Sequence, residues 1–246
     1  MTIIIDGKPC VCEAGEFLLD IAARNGISIP TLCHHEGLPG QGCCRICLVE
    51  VETGGRRSIV TACVYPVERE CDVFTNSESV SLHRRMVLSM LRASAPESEE
   101  VARLCEEYGA PEYERFVNNP GEKCILCGLC VKACESLGTG AIWTMNRGVL
   151  KEVSTPYDEP SLVCVGCASC ASTCPVGAID VWQTEKTRTI WSKTFNLKAC
   201  SKCGNIMGTQ FELGRAAVKA DADVPDLCED CRKKKITDVF AATYGV

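Results

Sequence analysis

The sequence predicts an α+β chain of four parts: a small mixed sheet crossed by one helix, a helical linker, a duplicated cysteine-rich domain and a small metal-knuckle tail. Three observations support this fold class. Short strand and turn patterns occupy the first part, a run of four cysteines recurs further along, and two Cys-x2-Cys pairs follow near the end. The predicted boundaries are 1–80, 81–115, 116–190 and 191–246.

Cysteine dominates the composition, with 21 of 246 residues, which is close to the density of secreted disulfide proteins. The first ten residues, MTIIIDGKPC, lack the basic and apolar regions of a signal peptide, and no apolar run is long enough to span a membrane. We therefore expect a cytoplasmic protein whose thiols stay reduced unless they bind metal. The net charge of −6 argues against nucleic-acid partners and against a membrane-surface role.

The first part has the pattern of a β-grasp domain, in which one helix crosses a mixed sheet. The predicted elements are a strand at Ile3–Ile5, a hairpin turn at Asp6-Gly7, a returning strand at Val11–Glu13, a helix at Phe17–Asn25 ended by Gly26, and a strand at Ile46–Glu52. The pattern also includes a loop that carries cysteines.

The linker reads as two helices. In the first, an apolar face is predicted from Leu82, Met86, Val87, Met90 and Leu91. Ser94 to Glu97 resembles a capping box for the second helix. The apolar positions of that second helix are Val101, Leu104, Cys105 and Tyr108, so Cys105 is interpreted as a small buried apolar residue.

The duplicated part carries the spacing Cys-x2-Cys-x2-Cys-x3-Cys twice, first from Cys124 and again from Cys164. This spacing is typical of two 4Fe–4S clusters, because three neighbouring thiolates bind one cluster and the fourth binds the other. The predicted ligands are Cys124, Cys127, Cys130 and Cys174 for one cluster, and Cys134, Cys164, Cys167 and Cys170 for the other. The small residues Gly128, Gly166, Ala168 and Ala171 allow backbone N–H groups to approach the sulfurs. Two zinc sites are the alternative, although paired zinc knuckles are normally separated by a longer loop.

A further cysteine group surrounds the stretch GQGCCRIC, residues 40–47. The spacing Cys-x10-Cys-x2-Cys-x15-Cys predicts a 2Fe–2S cluster bound by Cys33, Cys44, Cys47 and Cys63. Its first gap is longer than in plant-type ferredoxins. Cys43 remains as a bystander or a backup ligand. The neighbouring His34 and His35 are not needed as ligands, because four cysteines are already present.

The tail contains two Cys-x2-Cys pairs, Cys200 with Cys203 and Cys228 with Cys231. Such pairs are typical of metal sites, and a structural zinc ion is the favoured interpretation. The spacer between the pairs is longer than the usual zinc range, so a further iron–sulfur cluster and free thiols stay open as alternatives.

The stretch IPTLCHHEGLPGQGCCRICLVEV resembles the N-terminal cluster loop of the large iron–sulfur subunit of respiratory complex I. It is also similar to the small diaphorase subunit of NAD-linked hydrogenases and to the front domains of iron-only hydrogenases. In that family the cysteine before the arginine is the ligand, which implies Cys44 before Arg45. The resemblance continues through CVKACESLGTGAI and covers residues 1–185.

One departure from the family concerns another 4Fe–4S cluster, which the family binds through His-x3-Cys-x2-Cys-x5-Cys between these domains. Residues 81–123 of this chain offer only His83 and Cys105 as ligands of these types. We therefore expect this chain to lack that cluster. Electrons would then pass from the 2Fe–2S site to the 4Fe–4S pair directly or through a partner.

The sequence contains no Gly-x-Gly-x-x-Gly fingerprint after a strand and no Walker motif, and nearly all of its recognisable chemistry is one-electron transfer. We therefore expect a non-catalytic electron-transfer subunit of an oxidoreductase complex. The resemblance implies a hetero-oligomer with a flavin-containing NAD(H)-binding subunit and a second redox or catalytic subunit or ferredoxin. That complex would be a hydrogenase, a formate dehydrogenase or an electron-bifurcating complex. The alternatives are the iron–sulfur subunit of a succinate/fumarate-type enzyme and a redox-sensing iron–sulfur protein.

Overall fold

The computed structural model describes residues 1–116 and 119–245. The first part of the chain forms a mixed five-stranded sheet. This part contains strands β1 (Thr2–Ile5), β2 (Lys8–Val11), β3 (Glu16–Phe17), β4 (Leu48–Thr53), β5 (Arg56–Thr61), β6 (Pro66–Val67) and β7 (Asp72–Phe74), and helix α1 (Leu18–Arg24). The strand order is β2-β1-β7-β4-β5, with β1 and β7 parallel. A smaller pair, β3 and β6, lies beside it. This architecture confirms the predicted β-grasp domain.

The hairpin at the start of the sheet differs from the prediction in its second strand. Asp6 and Gly7 both have positive φ, 49° and 82°, so they form a two-residue turn. Ile5 then pairs directly with Lys8, and the returning strand runs over Lys8–Val11. The predicted strand at Val11–Glu13 was therefore wrong, because the tight turn starts the return earlier.

The apolar core of this domain lies between the sheet and α1. Alternate residues of β1, Ile3 and Ile5, are fully buried, and Leu18 and Ile21 of the helix pack in the same cluster. Gly26 follows the helix with φ 71°, as predicted for a residue that ends it. Ile46 is also fully buried, but the fourth strand starts only at Leu48.

Helix α2 (Glu78–Ser94) buries a different face from the predicted one. Leu82 and Met90 are exposed, whereas Val80, Arg84 and Leu88 are buried. Arg84 accounts for the difference, because its guanidinium donates to the carbonyl oxygens of residues 46, 48 and 75 at 3.2, 2.7 and 3.1 Å. Arg84 is thus buried because backbone carbonyls accept its hydrogen bonds. The periodicity of apolar residues alone cannot predict that this face is buried.

Helix α3 (Glu99–Tyr108) is capped by Ser98, whose hydroxyl accepts from the backbone N–H of Val101 at 3.3 Å. The predicted capping box at Ser94 to Glu97 was wrong, because α2 continues through Ser94. Val101 and Leu104 are buried as predicted, and Cys105 packs at the edge of the same cluster.

The chain divides into two compact units, the first formed by Met1–Lys132 with Thr173–Ala178 and the second by Ala133–Ser172 with the chain from Ile179 onward. The remaining elements are helices α4 (Leu129–Ser136), α5 (Ser169–Ser172), α6 (Gln210–Ala220) and α7 (Glu229–Tyr244), and strands β8 (Trp143–Met145), β9 (Glu152–Ser154), β10 (Trp182–Gln183), β11 (Thr187–Ile190), β12 (Lys193–Ala199) and β13 (Ile206–Thr209). Strands β10 to β13 form an antiparallel sheet in chain order within the second unit. Among the described ranges, no helix is long and apolar enough to cross a bilayer.

Candidate metal centres

The loop before β4 and the short 3-10 helix Ala62–Val64 after β5 together supply the four cysteines predicted to bind a 2Fe–2S cluster. Their side chains are all buried, and they are Cys33, Cys44, Cys47 and Cys63. The backbone N–H of Cys44 donates to the Cys33 sulfur at 3.4 Å. Hydrogen bonds from the thiols of residues 43, 44 and 63 hold the pKa of Cys33 well below its usual range, and the Cys63 thiol lowers the pKa of Cys47 to about 7. The donors therefore converge on one point, and their chemistry fits an iron–sulfur cluster.

Two glycines allow the backbone of this loop to pack closely against Cys63 and Val64. A Cβ atom at Gly42, where φ is +61°, would lie 2.9 Å from a Val64 methyl carbon, and one at Gly40 would lie 3.1 Å from the Cys63 carbonyl oxygen. Arg45 also has a positive φ of 58°. The backbone of GQGCCRIC is thus bent tightly beside Cys63, which brings the late ligand to the three loop cysteines.

Cys43 lies within the same group although the spacing left it out. It is exposed overall, whereas Cys44 is buried. Its hydrogen bond to Cys33 raises the pKa of Cys43. The same S–H can donate instead to the carbonyl oxygen of Cys127, which lies 3.4 Å from the sulfur. The structure thus brings five thiols together here, and the assignment of Cys44 as ligand stays a prediction.

The first 4Fe–4S site is predicted from four cysteines that all belong to the first unit, Cys124, Cys127, Cys130 and Cys174. Backbone N–H groups reach two of the sulfurs, from Leu126 to Cys124 and from Ala178 to Cys174, both at 3.3 Å. Burial raises the pKa of Cys127 to about 11 and that of Cys130 to about 12. Burial thus disfavours the free thiolate at both positions, and a bound cation would be needed to hold them as thiolates at neutral pH.

The second 4Fe–4S site is predicted from four cysteines of the second unit. They line one cavity, and they are Cys134, Cys164, Cys167 and Cys170. The Cys134 sulfur accepts from the backbone N–H of Ala141 at 3.1 Å, and the Cys170 sulfur accepts from the indole N–H of Trp191 at 3.5 Å. A cavity walled by four cysteines and by N–H donors fits a cluster of thiolate-bound iron.

The two cysteine runs share an unusual backbone. The left-handed positions are Leu126 and Gly128 in the first run and Gly166 and Ala168 in the second, with φ of 53°, 73°, 71° and 62°. Each run therefore turns twice at equivalent places between its cysteines. Gly166 also has a role that the sequence did not predict, because a Cβ there would lie 2.5 Å from the Phe195 ring. The left-handed position of Leu126 had no signal in the sequence.

The tail cysteines form a compact group, with all four sulfurs within 4.8 Å of one another, and they are Cys200, Cys203, Cys228 and Cys231. The first pair lies in the connection between β12 and β13, where the backbone N–H of Cys200 donates to the Asn205 carbonyl at 2.9 Å. Cys228 is the N-cap residue of α7, and Cys231 lies in its first turn. Backbone N–H groups, chiefly that of Cys228, lower the pKa of Cys200 to about 6.

Comparison with known families identifies two cluster-binding domains in the chain. Residues 1–78 match the family described as 2Fe-2S iron-sulfur cluster binding domain, and residues 119–181 match the 4Fe-4S dicluster domain family. The chain therefore carries a 2Fe–2S-binding domain followed by a 4Fe–4S dicluster domain, in addition to the four-cysteine group of the tail.

The similar curated proteins are subunits of two oxidoreductases and of a hydrogenase. The NADPH-Fe(3+) oxidoreductase subunit alpha of Geobacter sulfurreducens is 30% identical over 86% of this chain and 27% of its own length. The NADP-reducing hydrogenase subunit HndD of Solidesulfovibrio fructosivorans is 32% identical over 73% of this chain and 36% of its own length. The NADH-ubiquinone oxidoreductase 75 kDa subunit of Reclinomonas americana is 27% identical over 99% of this chain and 38% of its own length. The chain thus spans less than two-fifths of these relatives.

A solved structure shares the fold over more of its own length. A chain of the NAD+-reducing [NiFe]-hydrogenase, in the H2-reduced state, aligns with a TM-score of 0.61 and 28% identity. The alignment covers 72% of this chain and 85% of that chain.

Proposed function

Because this chain is homologous to iron–sulfur subunits of NAD(P)-linked hydrogenases and complex I-like oxidoreductases, we propose that it is the electron-relay subunit of a multi-subunit NAD(H)-linked oxidoreductase. It passes single electrons between a flavin-containing NAD(H)-binding subunit and a second redox subunit, catalytic subunit or ferredoxin. The observation that carries the proposal lies in the first unit, where Cys33, Cys44 and Cys127 share one buried apolar cluster. The predicted 2Fe–2S site and the first predicted 4Fe–4S site lie next to each other there.

Each cysteine group has a proposed occupant. Cys33, Cys44, Cys47 and Cys63 would hold one 2Fe–2S cluster; Cys124, Cys127, Cys130 and Cys174 one 4Fe–4S cluster; and Cys134, Cys164, Cys167 and Cys170 another. When bound, such clusters accept and release one electron at a time. The chain itself supplies the thiolates, the N–H donors to sulfur and the apolar packing that excludes water.

Contacts within the first unit favour direct transfer from the 2Fe–2S site to the first 4Fe–4S site. The Cys43 sulfur reaches the Cys127 carbonyl, and Lys132 Nζ donates to the carbonyl of Pro39 at 2.9 Å. A Cβ at Gly128 would lie 2.8 Å from the Gln41 amide nitrogen. The loop before Cys43 therefore packs on the segment that carries the cubane ligands, so the relay does not require the His-ligated cluster of the family.

A zinc ion is the proposed occupant of the tail. A Zn–S bond of about 2.3 Å separates the sulfurs of a tetrahedral site by about 3.8 Å. The tail sulfurs lie within 4.8 Å of one another, which matches a single ion. A cubane cluster binds each thiolate through a different iron, so it spreads them further apart. Zinc does not change its oxidation state, so the tail stands outside the electron path.

The flavin is assigned to another subunit because hydride transfer delivers two electrons together, whereas iron–sulfur clusters accept one. A flavin can take the hydride and release single electrons. The complex is consequently a hetero-oligomer, in which the flavoprotein docks near the loop that contains Cys33 and Cys44 and the second partner receives electrons from the 4Fe–4S pair.

Anaerobic co-purification tests this proposal. An affinity-tagged full chain should bring down a flavin-containing subunit at a fixed ratio, and the isolated complex should contain iron, acid-labile sulfide and flavin. A redox sensor would purify with full clusters as a lone chain, and a flavin-free chain with no redox partner would contradict the relay. A succinate/fumarate-type enzyme would show flavin together with succinate-dependent, NADH-independent reduction of the clusters.

A further inference from the structure

The turn between β11 and β12 has a strained backbone. Ile190 pairs with Lys193, so only Trp191 and Ser192 form the connection, with positive φ of 52° and 57°. Two-residue hairpin turns of this geometry favour Asn-Gly or Gly-Gly, because other residues are crowded in the left-handed region. A tryptophan held there indicates that the surrounding structure needs its side chain in one place.

That place is the cavity lined by the second group of four cysteines. Trp191 forms part of the cavity wall, and its indole Nε1 donates to the Cys170 sulfur at 3.5 Å. Cys170 is buried, so this hydrogen bond lies in surroundings where it is electrostatically stronger than in water.

The rest of the hairpin holds the backbone of the same cysteine run. Lys193 Nζ donates to the carbonyls of Ser161 and Cys164 at 2.8 and 3.1 Å, and Arg188 donates to the Gly166 carbonyl at 2.9 Å. The Phe195 ring lies so close to Gly166 that no Cβ fits between them. The side chains of Lys193, Arg188 and Trp191 thus place two cations and one N–H donor beside this cysteine run.

Adding an electron to a thiolate-bound cluster increases its negative charge. N–H donors to sulfur and nearby cations stabilise that added charge and raise the reduction potential. Building on the cluster assignment of the proposed function, we propose that Trp191 is a positioning residue that raises the reduction potential of the cluster held by Cys134, Cys164, Cys167 and Cys170. The sheet formed by β10 to β13 thereby helps to set the potential at which the relay delivers electrons.

The test replaces the indole by a ring that cannot donate. Trp191→Phe and the control Trp182→Phe, which alters an exposed tryptophan of the same sheet, are purified anaerobically as full chains with their clusters. EPR-monitored potentiometric titration should show the second cluster about three- to tenfold less reduced at a fixed potential in Trp191→Phe, where tenfold corresponds to about 59 mV for one electron. The first cluster and the Trp182→Phe protein should titrate like wild type. Equal potentials in all three proteins would overturn the proposal.

A second measurement uses the unaltered residue, in case Trp191→Phe loses the cluster. Protein labelled with 15N in the tryptophan indoles should show a weak 15N hyperfine coupling on the reduced cluster in pulsed EPR, with the same coupling in labelled Trp182→Phe. Absence of the coupling would overturn the proposal. Wild-type protein with well below about eight iron atoms in 4Fe–4S form would instead contradict the cluster assignment itself.

Discussion

The Cys43 thiol donates a hydrogen bond to the backbone carbonyl of Cys127, with 3.4 Å between sulfur and oxygen. This contact joins the loop predicted to bind a 2Fe–2S cluster to the segment predicted to bind the first 4Fe–4S cluster. Both belong to the first unit. Cys43 therefore lies between the two predicted redox sites, so a substitution of Cys43 tests both of them.

The first prediction assigns the ligand. Cys44→Ser should lose or strongly alter the 2Fe–2S EPR signal of the reduced protein, because Cys44 is the buried member of the pair. Cys43→Ser should keep that signal, since serine preserves a donor near Cys127. The reverse pattern, with the signal lost in Cys43→Ser and kept in Cys44→Ser, would show that the assignment is wrong.

The second prediction concerns metal content. One 2Fe–2S cluster and two 4Fe–4S clusters require about 10 iron atoms per chain. The tail adds about one zinc ion. Elemental analysis of anaerobically purified protein measures both, and the Cys203→Ser variant should lose zinc while it retains iron. About 14 iron atoms without zinc would mean that the tail holds another cubane cluster.

The third prediction tests the close packing at Gly166. Gly166→Ala should lose most of the 4Fe–4S cluster assigned to the second unit, because its Cβ would overlap the Phe195 ring. Gly148→Ala is the matched control, since φ there is also positive but the space around it is open. Spin quantification by EPR and iron analysis distinguish the two. Equal cluster content in both variants would show that Phe195 can move aside at little cost.

The fourth prediction concerns the buried guanidinium of α2. Arg84→Met should lower the free energy of unfolding by about 3 kcal/mol, because several buried carbonyls lose their hydrogen-bond donor. Arg85→Met, at the exposed neighbouring position, should change it by less than about 0.5 kcal/mol. Urea unfolding followed by circular dichroism under anaerobic conditions provides the measurement. A similar midpoint for both variants would contradict a stabilising role of Arg84.

The sequence was most informative where ligand spacing is local. The two runs from Cys124 and Cys164 predicted the dicluster domain, because each loop must wrap one cluster within a few residues. Cys63 was harder, because 15 residues separate it from Cys47; it was predicted on a later strand but lies in the short 3-10 helix that follows β5. The residues that hold these groups were not visible. Arg84 lies on a face of α2 that apolar periodicity did not predict to be buried, and its acceptors are backbone atoms distant in the chain.

The sheet of the second unit was missed for a related reason. Its strands are largely polar, and its hairpin turn at Trp191 and Ser192 has none of the residues that normally signal such a turn. The position of the indole against Cys170 depends on a tertiary contact, so only the folded chain reveals it.

The central claim, that this chain relays electrons from a flavoprotein and does not oxidise the nucleotide itself, is tested most directly by NADH-driven reduction. The purified full chain should reduce no dye with NADH, and its clusters should stay oxidised, because its sequence carries no dinucleotide-binding fingerprint and the flavin that converts a hydride into single electrons is assigned to another subunit. Addition of the co-purifying flavoprotein together with NADH should reduce the 2Fe–2S cluster, so that its EPR signal appears, and should give dye reduction. Activity of the flavin-free chain alone, or a flavoprotein complex in which NADH leaves every cluster of this chain oxidised, would contradict the account.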